Sequence, residues 1–176
     1  NLHAVDRFEG RDMLADPAPS QLVPAFIRRK RSKIFSKPTV KSALIRKGFY
    51  RETLNVEAKL EKGFVVARNI DGNGTKGYIR PKDVRYWRDK TRPPGIGDDE
   101  VWVDVVLSQQ LLTLYRGDLP LLTTLVSTGK RGHSTPTGLF NIRVKYSHDS
   151  MSNYLEEEQK WEYYIEDVPF VMYFYK

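Results

Sequence analysis

Ser127-Thr128-Gly129-Lys130 and, after a four-residue spacer, Thr135-Pro136-Thr137-Gly138-Leu139-Phe140 gather hydroxyls, an amine and two glycines into one short segment. A hydroxyl attacks a carbonyl only when a neighbouring base takes its proton. Nothing in this run supplies a nucleophile with a base: His133 lies in the spacer loop, His148 in a polar turn and His3 near the start, each read as an ordinary exposed side chain. Physically the run is a strand end, a glycine turn, a basic loop and a second turn that leads into a strand. Gly129 and Gly138 supply turn conformations that a Cβ opposes, and Pro136 fixes φ ahead of Phe140. Thr135 and Thr137 can satisfy turn backbone groups with their hydroxyls. The segment therefore reads as frame first and substrate contact second, and no catalytic residue is expected in it.

Other chemistry is narrowed by what the chain contains. There is no cysteine, which removes disulfides, zinc-thiolate sites and thiol catalysis from these residues together. Asp71-Gly72-Asn73-Gly74-Thr75 begins like a calcium loop, but Lys76 stands where glycine is needed and Lys82 where the bidentate glutamate would be. It reads as a hairpin turn, and neither a metal nor a cofactor is expected. Arg28-Arg29-Lys30-Arg31, interleaved with Phe26, Phe35, Phe49 and Tyr50, has the composition of a nucleic-acid surface. Strands around those aromatics give them core roles instead, so nucleic acid is not the expected partner.

The elements that must position these residues are short strands. At 176 residues and 40% hydrophobic, the chain can bury one ordinary core or two small ones. Residues 1–24, with Pro17, Pro19 and Pro24, read as a leader or linker. Residues 25–87 read as a small basic β-barrel: strands at Ala25–Ile27, Lys33–Phe35, Thr53–Ala58, Gly63–Arg68 and Lys76–Arg80, with a tight turn at 71–74. Residues 88–100 are a charged Pro/Gly linker. From 101 on, strands are expected at Val101–Leu107, Leu111–Tyr115, Pro120–Ser127, Phe140–Tyr146, Trp161–Ile165 and Pro169–Tyr175, with a hairpin turn at Arg116-Gly117-Asp118. Ser150–Glu158 is polar and fits a short helix or a loop equally. Charge divides the same way: residues 23–93 carry twenty Lys+Arg against six Asp+Glu, or +14, while residues 94–176 carry seven against twelve, or −5. That asymmetry points to an anionic polymer or surface near the first unit. No apolar run is long enough for a membrane span, and neither a signal peptide nor an anchor is read in the sequence.

The second unit resembles the bacterial L,D-transpeptidase catalytic domain of the YkuD type. Val103-Asp104-Val105-Val106-Leu107-Ser108-Gln109-Gln110 looks like its opening strand and Ser-x-Gln corner, and Leu112-Thr113-Leu114-Tyr115 with Gly117 like the following hairpin. Leu125-Val126-Ser127-Thr128-Gly129-Lys130 and Thr135-Pro136-Thr137-Gly138 with Phe140-Asn141-Ile142 look like its paired signature. Val168-Pro169-Phe170-Val171-Met172-Tyr173-Phe174 looks like the strand that enters its active site. Gly77-Tyr78-Ile79 followed by Pro81-Lys82-Asp83-Val84 is similar to the closing strand and helical turn of bacterial Src-homology-type barrels.

These resemblances imply a mainly β protein: a small Src-homology-like barrel, then the N-terminal part of an L,D-transpeptidase-type β-sandwich over 101–176. They imply peptidoglycan cross-linking or remodelling in the cell envelope. In that family a cysteine thiolate, activated by histidine, attacks a stem-peptide carbonyl while backbone N–H groups hold the oxyanion, and the acyl group passes to an amine or to water. The His-Gly and Ser-His-Gly-Cys motifs that do this follow the strand equivalent to 170–175 and are not in this sequence. The chain is therefore expected to be a truncated domain, inactive alone, whose parent is the enzyme. The alternative is a non-catalytic wall-binding or scaffold protein that has lost the site. Met172 and Tyr173 are the expected stem-peptide contacts, strand alternation turning one inward. Tyr78, with Tyr50, Tyr86 and Trp87, is the candidate docking groove of the barrel, whose basic charge would meet the anionic wall polymer.

Overall fold

A computed structural model describes residues 11–13, 22–155 and 160–175. The chain is mainly β, as its short alternating runs predict, and contacts divide it into two units, 1–128 and 129–176. His3, Glu156–Glu158 and Lys176 lie outside the described residues.

In the first unit, β2 (Leu22–Ile27), β3 (Ser32–Phe35), β4 (Leu44–Gly48), β5 (Thr53–Glu57), β6 (Val65–Arg68), β7 (Gly77–Ile79) and β8 (Val84–Tyr86) form one antiparallel sheet, ordered β4-β3-β7-β6-β5-β2-β8. A 3-10 turn at Pro81–Asp83 separates β7 from β8. Strands lie about 4.8 Å apart, so β3 and β8 would be some 24 Å apart in a flat sheet. Instead Ser32 Oγ, at the start of β3, donates to Asp83 O beside β8 at 3.4 Å. The sheet is rolled, and its inner face supplies one core: Ala25, Ile27, Ile34, Val56, Val65, Ala67 and Ile79 are all fully buried. Gly77 packs against this core with no room for a side chain. A Cβ there would meet Ile34 at 2.5 Å and Ile70 at 2.7 Å, so only glycine fits.

The loop between β6 and β7 is an Asx-type turn. Asp71 Oδ1 accepts from the N–H of Asn73 at 2.9 Å and of Thr75 at 3.2 Å, and Thr75 donates its hydroxyl to the other oxygen. Those donors, the Thr75 hydroxyl foremost, hold the Asp71 carboxyl below its usual range. β4 escaped the sequence reading because Arg46-Lys47 interrupts its apolar pattern. Pairing with β3 and the Arg46–Glu52 ion pair hold it in place.

The same unit carries a four-stranded sheet, ordered β1-β11-β10-β9, from β1 (Arg11–Asp12), β9 (Val101–Val106), β10 (Leu111–Arg116) and β11 (Leu119–Leu125). Pairing of Trp102 with Tyr115 and of Asp104 with Thr113 puts these side chains on one face, while Val101, Val103 and Val105 are exposed on the other. Gly117, at φ 53°, forms the predicted hairpin corner, where a Cβ would run into the Asp98 carbonyl.

The second unit is a two-stranded ribbon of β12 (Val144–Leu155) and β13 (Lys160–Tyr173). Three expectations are corrected here. The strand expected at Phe140–Tyr146 starts only at Val144; residues 139–143 are irregular. Ser150–Leu155, read as helix or loop, is strand. Trp161–Ile165 and Pro169–Tyr175, read as two strands, belong to one. The intervening Glu166-Asp167-Val168 is not a break: Asp167 and Phe170 take left-handed φ of 55° and 56°, which accommodates the irregularity without ending the ladder. Pro169, opposite His148, is tolerated because a two-stranded ribbon leaves one side of each strand unpaired.

Candidate functional site

The first half of the signature ends a strand that is clamped from the side. Gln110 stands in a left-handed corner at φ 53°, just before β10. Its side-chain amide donates to Leu107 O at 2.8 Å and to the Thr128 hydroxyl, and its Oε1 accepts from the Thr128 N–H at 2.9 Å. Its backbone carbonyl accepts from the Val126 N–H at 2.9 Å. One side chain thus fixes Thr128 at two atoms, with Ser127 left exposed before it. Beneath this sheet, Tyr115 is buried and its ring stacks on Trp102 at 4.3 Å and 9°. The Trp102 indole donates to Gly117 O at 2.7 Å, and the Trp87 indole donates to the Tyr115 hydroxyl at 3.0 Å. Burial pushes the Tyr115 phenol up to about 12.

The second half of the signature is a closed turn of its own. The Gly129 N–H donates to Thr135 Oγ1 at 2.8 Å and the His133 N–H to Lys130 O at 2.9 Å. A Cβ on Gly129 would collide with His133 O, so the turn admits glycine alone. Pro136 is half-buried, Thr137 and Gly138 are exposed, and Gly138 takes φ 145°. Phe140 follows and packs its ring at 5.6 Å against both Phe174 and Tyr175.

At this end of the ribbon an open depression of about 440 Å³ is lined by Arg143, Val144, Tyr146, Asp149, Tyr173 and Tyr175. The Arg143 N–H donates to Tyr173 O at 2.8 Å. The Tyr173 hydroxyl donates to Asp149 at 2.7 Å, and that bond, with burial, raises its pKa above the usual phenol value. Tyr146 meets Tyr173 edge-on at 6.0 Å. Met172 pairs with Lys145 on β12, and both Met172 and Tyr173 are exposed: neither is turned into a core, where alternation was expected to send one. Asp149 and Arg143 were not singled out from sequence. The ladder sets Asp149 opposite Val168 and Tyr173 opposite Val144, so it is the reach of the Tyr173 side chain that joins them. His148 lies 3.9 Å from Asp167, both exposed. The depression offers phenols, one carboxylate and one guanidinium, a set that binds and orients.

The four aromatics expected to make a groove on the first unit do not lie together. Tyr78 is buried with Phe35 and Val66 and donates its hydroxyl to Glu61 at 3.1 Å. Tyr86 belongs to the main core, against which Trp87 packs. Tyr50 alone of the four is exposed, with the Arg51 guanidinium 5.1 Å above its ring. Among the described residues no cluster of His, Asp or Glu suits a metal, and no helix is long and apolar enough to cross a membrane.

Residues 100–175 match the model of the YkuD family, the L,D-transpeptidase catalytic domain. The matched stretch takes in β9, β10, β11, both halves of the signature and the ribbon. No curated protein and no solved structure matches the chain.

Proposed function

We propose that this chain is the scaffold-bearing part of a peptidoglycan L,D-transpeptidase. Residues 25–87 serve as a wall-docking barrel of the Src-homology type, and residues 101–176 as the first part of the acyl-transfer domain. The observation that carries the reading is the family match over 100–175. The rolled sheet with a 3-10 turn before its closing strand, and the +14 charge of residues 23–93, support the docking role. On this reading Met172 and Tyr173, exposed at the end of β13, contact the stem peptide, with Asp149 fixing the Tyr173 hydroxyl. Tyr78 is a core residue, so docking falls to exposed groups such as Tyr50. The protein acts in the cell envelope on peptidoglycan stem peptides.

The thiolate that would attack the stem-peptide carbonyl is not among these 176 residues, which include no cysteine. That same observation favours a second reading, a wall-binding protein without catalysis. Reading the gene past the codon for Lys176 separates the two. A Ser-His-Gly-Cys segment in frame is expected, and protein carrying it should join or trim tetrapeptide stems, with the product seen by mass spectrometry and lost in a Cys→Ala variant. A stop codon at that point overturns the enzymatic reading.

A further inference from the structure

Five cations of the first unit make ion pairs among the described residues, Lys76 with Glu61 being one. Arg46 meets Glu52, Arg68 meets Glu57, Arg80 meets Asp83, and Arg92 meets Asp98 and Asp118. Arg28, Arg51 and Arg85, like most of the unit's Lys and Arg, make no ion pair among the described residues; what sets them apart is that they stand close enough for Arg28 and Arg51 to act on Arg85. The β2–β8 ladder sets Arg85 opposite Phe26, and the Arg28 N–H continues that ladder to Asp83 O at 2.8 Å. From the other flank of β2, the Arg51 N–H donates to Ile27 O at 2.9 Å. Arg85 is half-buried, and its pKa is lowered by burial first and then by the charges of Arg28 and Arg51, with no carboxylate acting on it. Glu52, the nearest acid in sequence to Arg51, is taken up by Arg46 and the Phe49 N–H.

The backbone adds a second observation. Arg51, at φ 66°, sits in the left-handed region that favours glycine, and Arg31, at φ 61°, does so in the neighbouring turn. Retaining a long cation at such a position works against stability and points to use of the side chain. The Arg51 guanidinium is steadied over the Tyr50 ring at 5.1 Å, and Phe49, just before it, is 75% exposed.

We propose that Arg28, Arg51 and Arg85, flanked by Phe49 and Tyr50, form a carboxylate-binding site whose ligand is a peptide bearing free carboxylates. Guanidinium groups present planar forks that take a carboxylate through two parallel hydrogen bonds, and three of them without acids attract more than one anionic group. The exposed rings supply apolar contact for aliphatic side chains, which a bare phosphodiester polymer lacks. The stem peptide as natural ligand rests on the proposed function.

The test measures binding of a fluorescently labelled disaccharide tetrapeptide to the full chain by anisotropy. The same peptide with its carboxylates amidated is the paired probe. Arg28→Gln with Arg51→Gln should weaken binding by about tenfold or more, as expected for lost charge-assisted hydrogen bonds. Lys37→Gln with Lys59→Gln, which removes equal charge elsewhere, should change it by less than about twofold. Arg85→Lys, which keeps the charge and loses the fork, should weaken it by an intermediate factor. Amidation changes the ligand alone, so it remains decisive should a variant fold poorly, and it should abolish the preference. Equal losses in the two double variants, undiminished binding of the amidated peptide, or tighter binding of duplex DNA or polyphosphate would each overturn the site. None of these variants bears on the cysteine-dependent product, so failure here leaves the acyl-transfer reading standing.

Discussion

Replacing Gln110 tests whether its side chain holds the first half of the signature in place. The amide makes three hydrogen bonds, to Leu107 O, the Thr128 hydroxyl and the Thr128 N–H. At a net contribution of about 1 kcal/mol each, Gln110→Ala should cost about 3 kcal/mol. Residue 110 also sits at φ 53°, where any side chain costs roughly 1–2 kcal/mol relative to glycine. Glycine's freer unfolded chain returns about 0.5–1 kcal/mol of that advantage. Gln110→Gly should therefore lose the same three bonds yet cost only about 2 kcal/mol. The predicted order of stability is wild type, then glycine, then alanine, which is the reverse of ordinary helix or strand propensity. Urea unfolding followed by tryptophan fluorescence measures it, in a Trp161→Phe background so that Trp87 and Trp102 report. An alanine variant as stable as the glycine variant, or both within about 0.5 kcal/mol of wild type, would refute the clamp.

Gly77→Ala should destabilise the rolled sheet by about 1–3 kcal/mol, because the new methyl overlaps Ile34 and Ile70 and the core must shift; chemical denaturation reads this directly. Tyr115 should make stability fall in alkali. Its folded pKa of about 12 lies above the roughly 10 of an unfolded tyrosine. The neutral phenol's contribution is thus whole below pH 10 and is lost as pH rises from there through 12. Tyr115→Phe should flatten that decline relative to wild type while costing about 1–2 kcal/mol at neutral pH, since the Trp87 indole loses its acceptor; thermal melts across the range check both.

Local pattern carried most of the strands because each half-buried strand writes its own alternation. β9 shows this clearly, with Val101, Val103 and Val105 exposed against Trp102, Asp104 and Val106 on the more covered face. What stayed hidden depends on partners distant in sequence. β4 exists through its ladder to β3 and an ion pair to Glu52, and its own residues give no strand period. The long ribbon was legible only in fragments, since two left-handed residues, Asp167 and Phe170, sit where a chain would normally break. The aromatics of the first unit misled for a related reason. Tyr50, Tyr78 and Tyr86 look alike in sequence, but the direction of each side chain from the rolled sheet sends two into core clusters and leaves one outside.

The signature residues make the same point about chemistry. Thr128 has its N–H and hydroxyl engaged by Gln110, and Thr135 spends its oxygen on Gly129. Both hydroxyls accept bonds that define a turn, so these residues specify where the chain goes before and after them. Exposed groups flank them in sequence: Ser127 before the clamped threonine and Thr137 after the closed turn. A motif whose polar atoms bind its own backbone marks a frame. Substitutions at Thr128 and Thr135 should accordingly act through stability of their own turns, which urea unfolding of each variant measures.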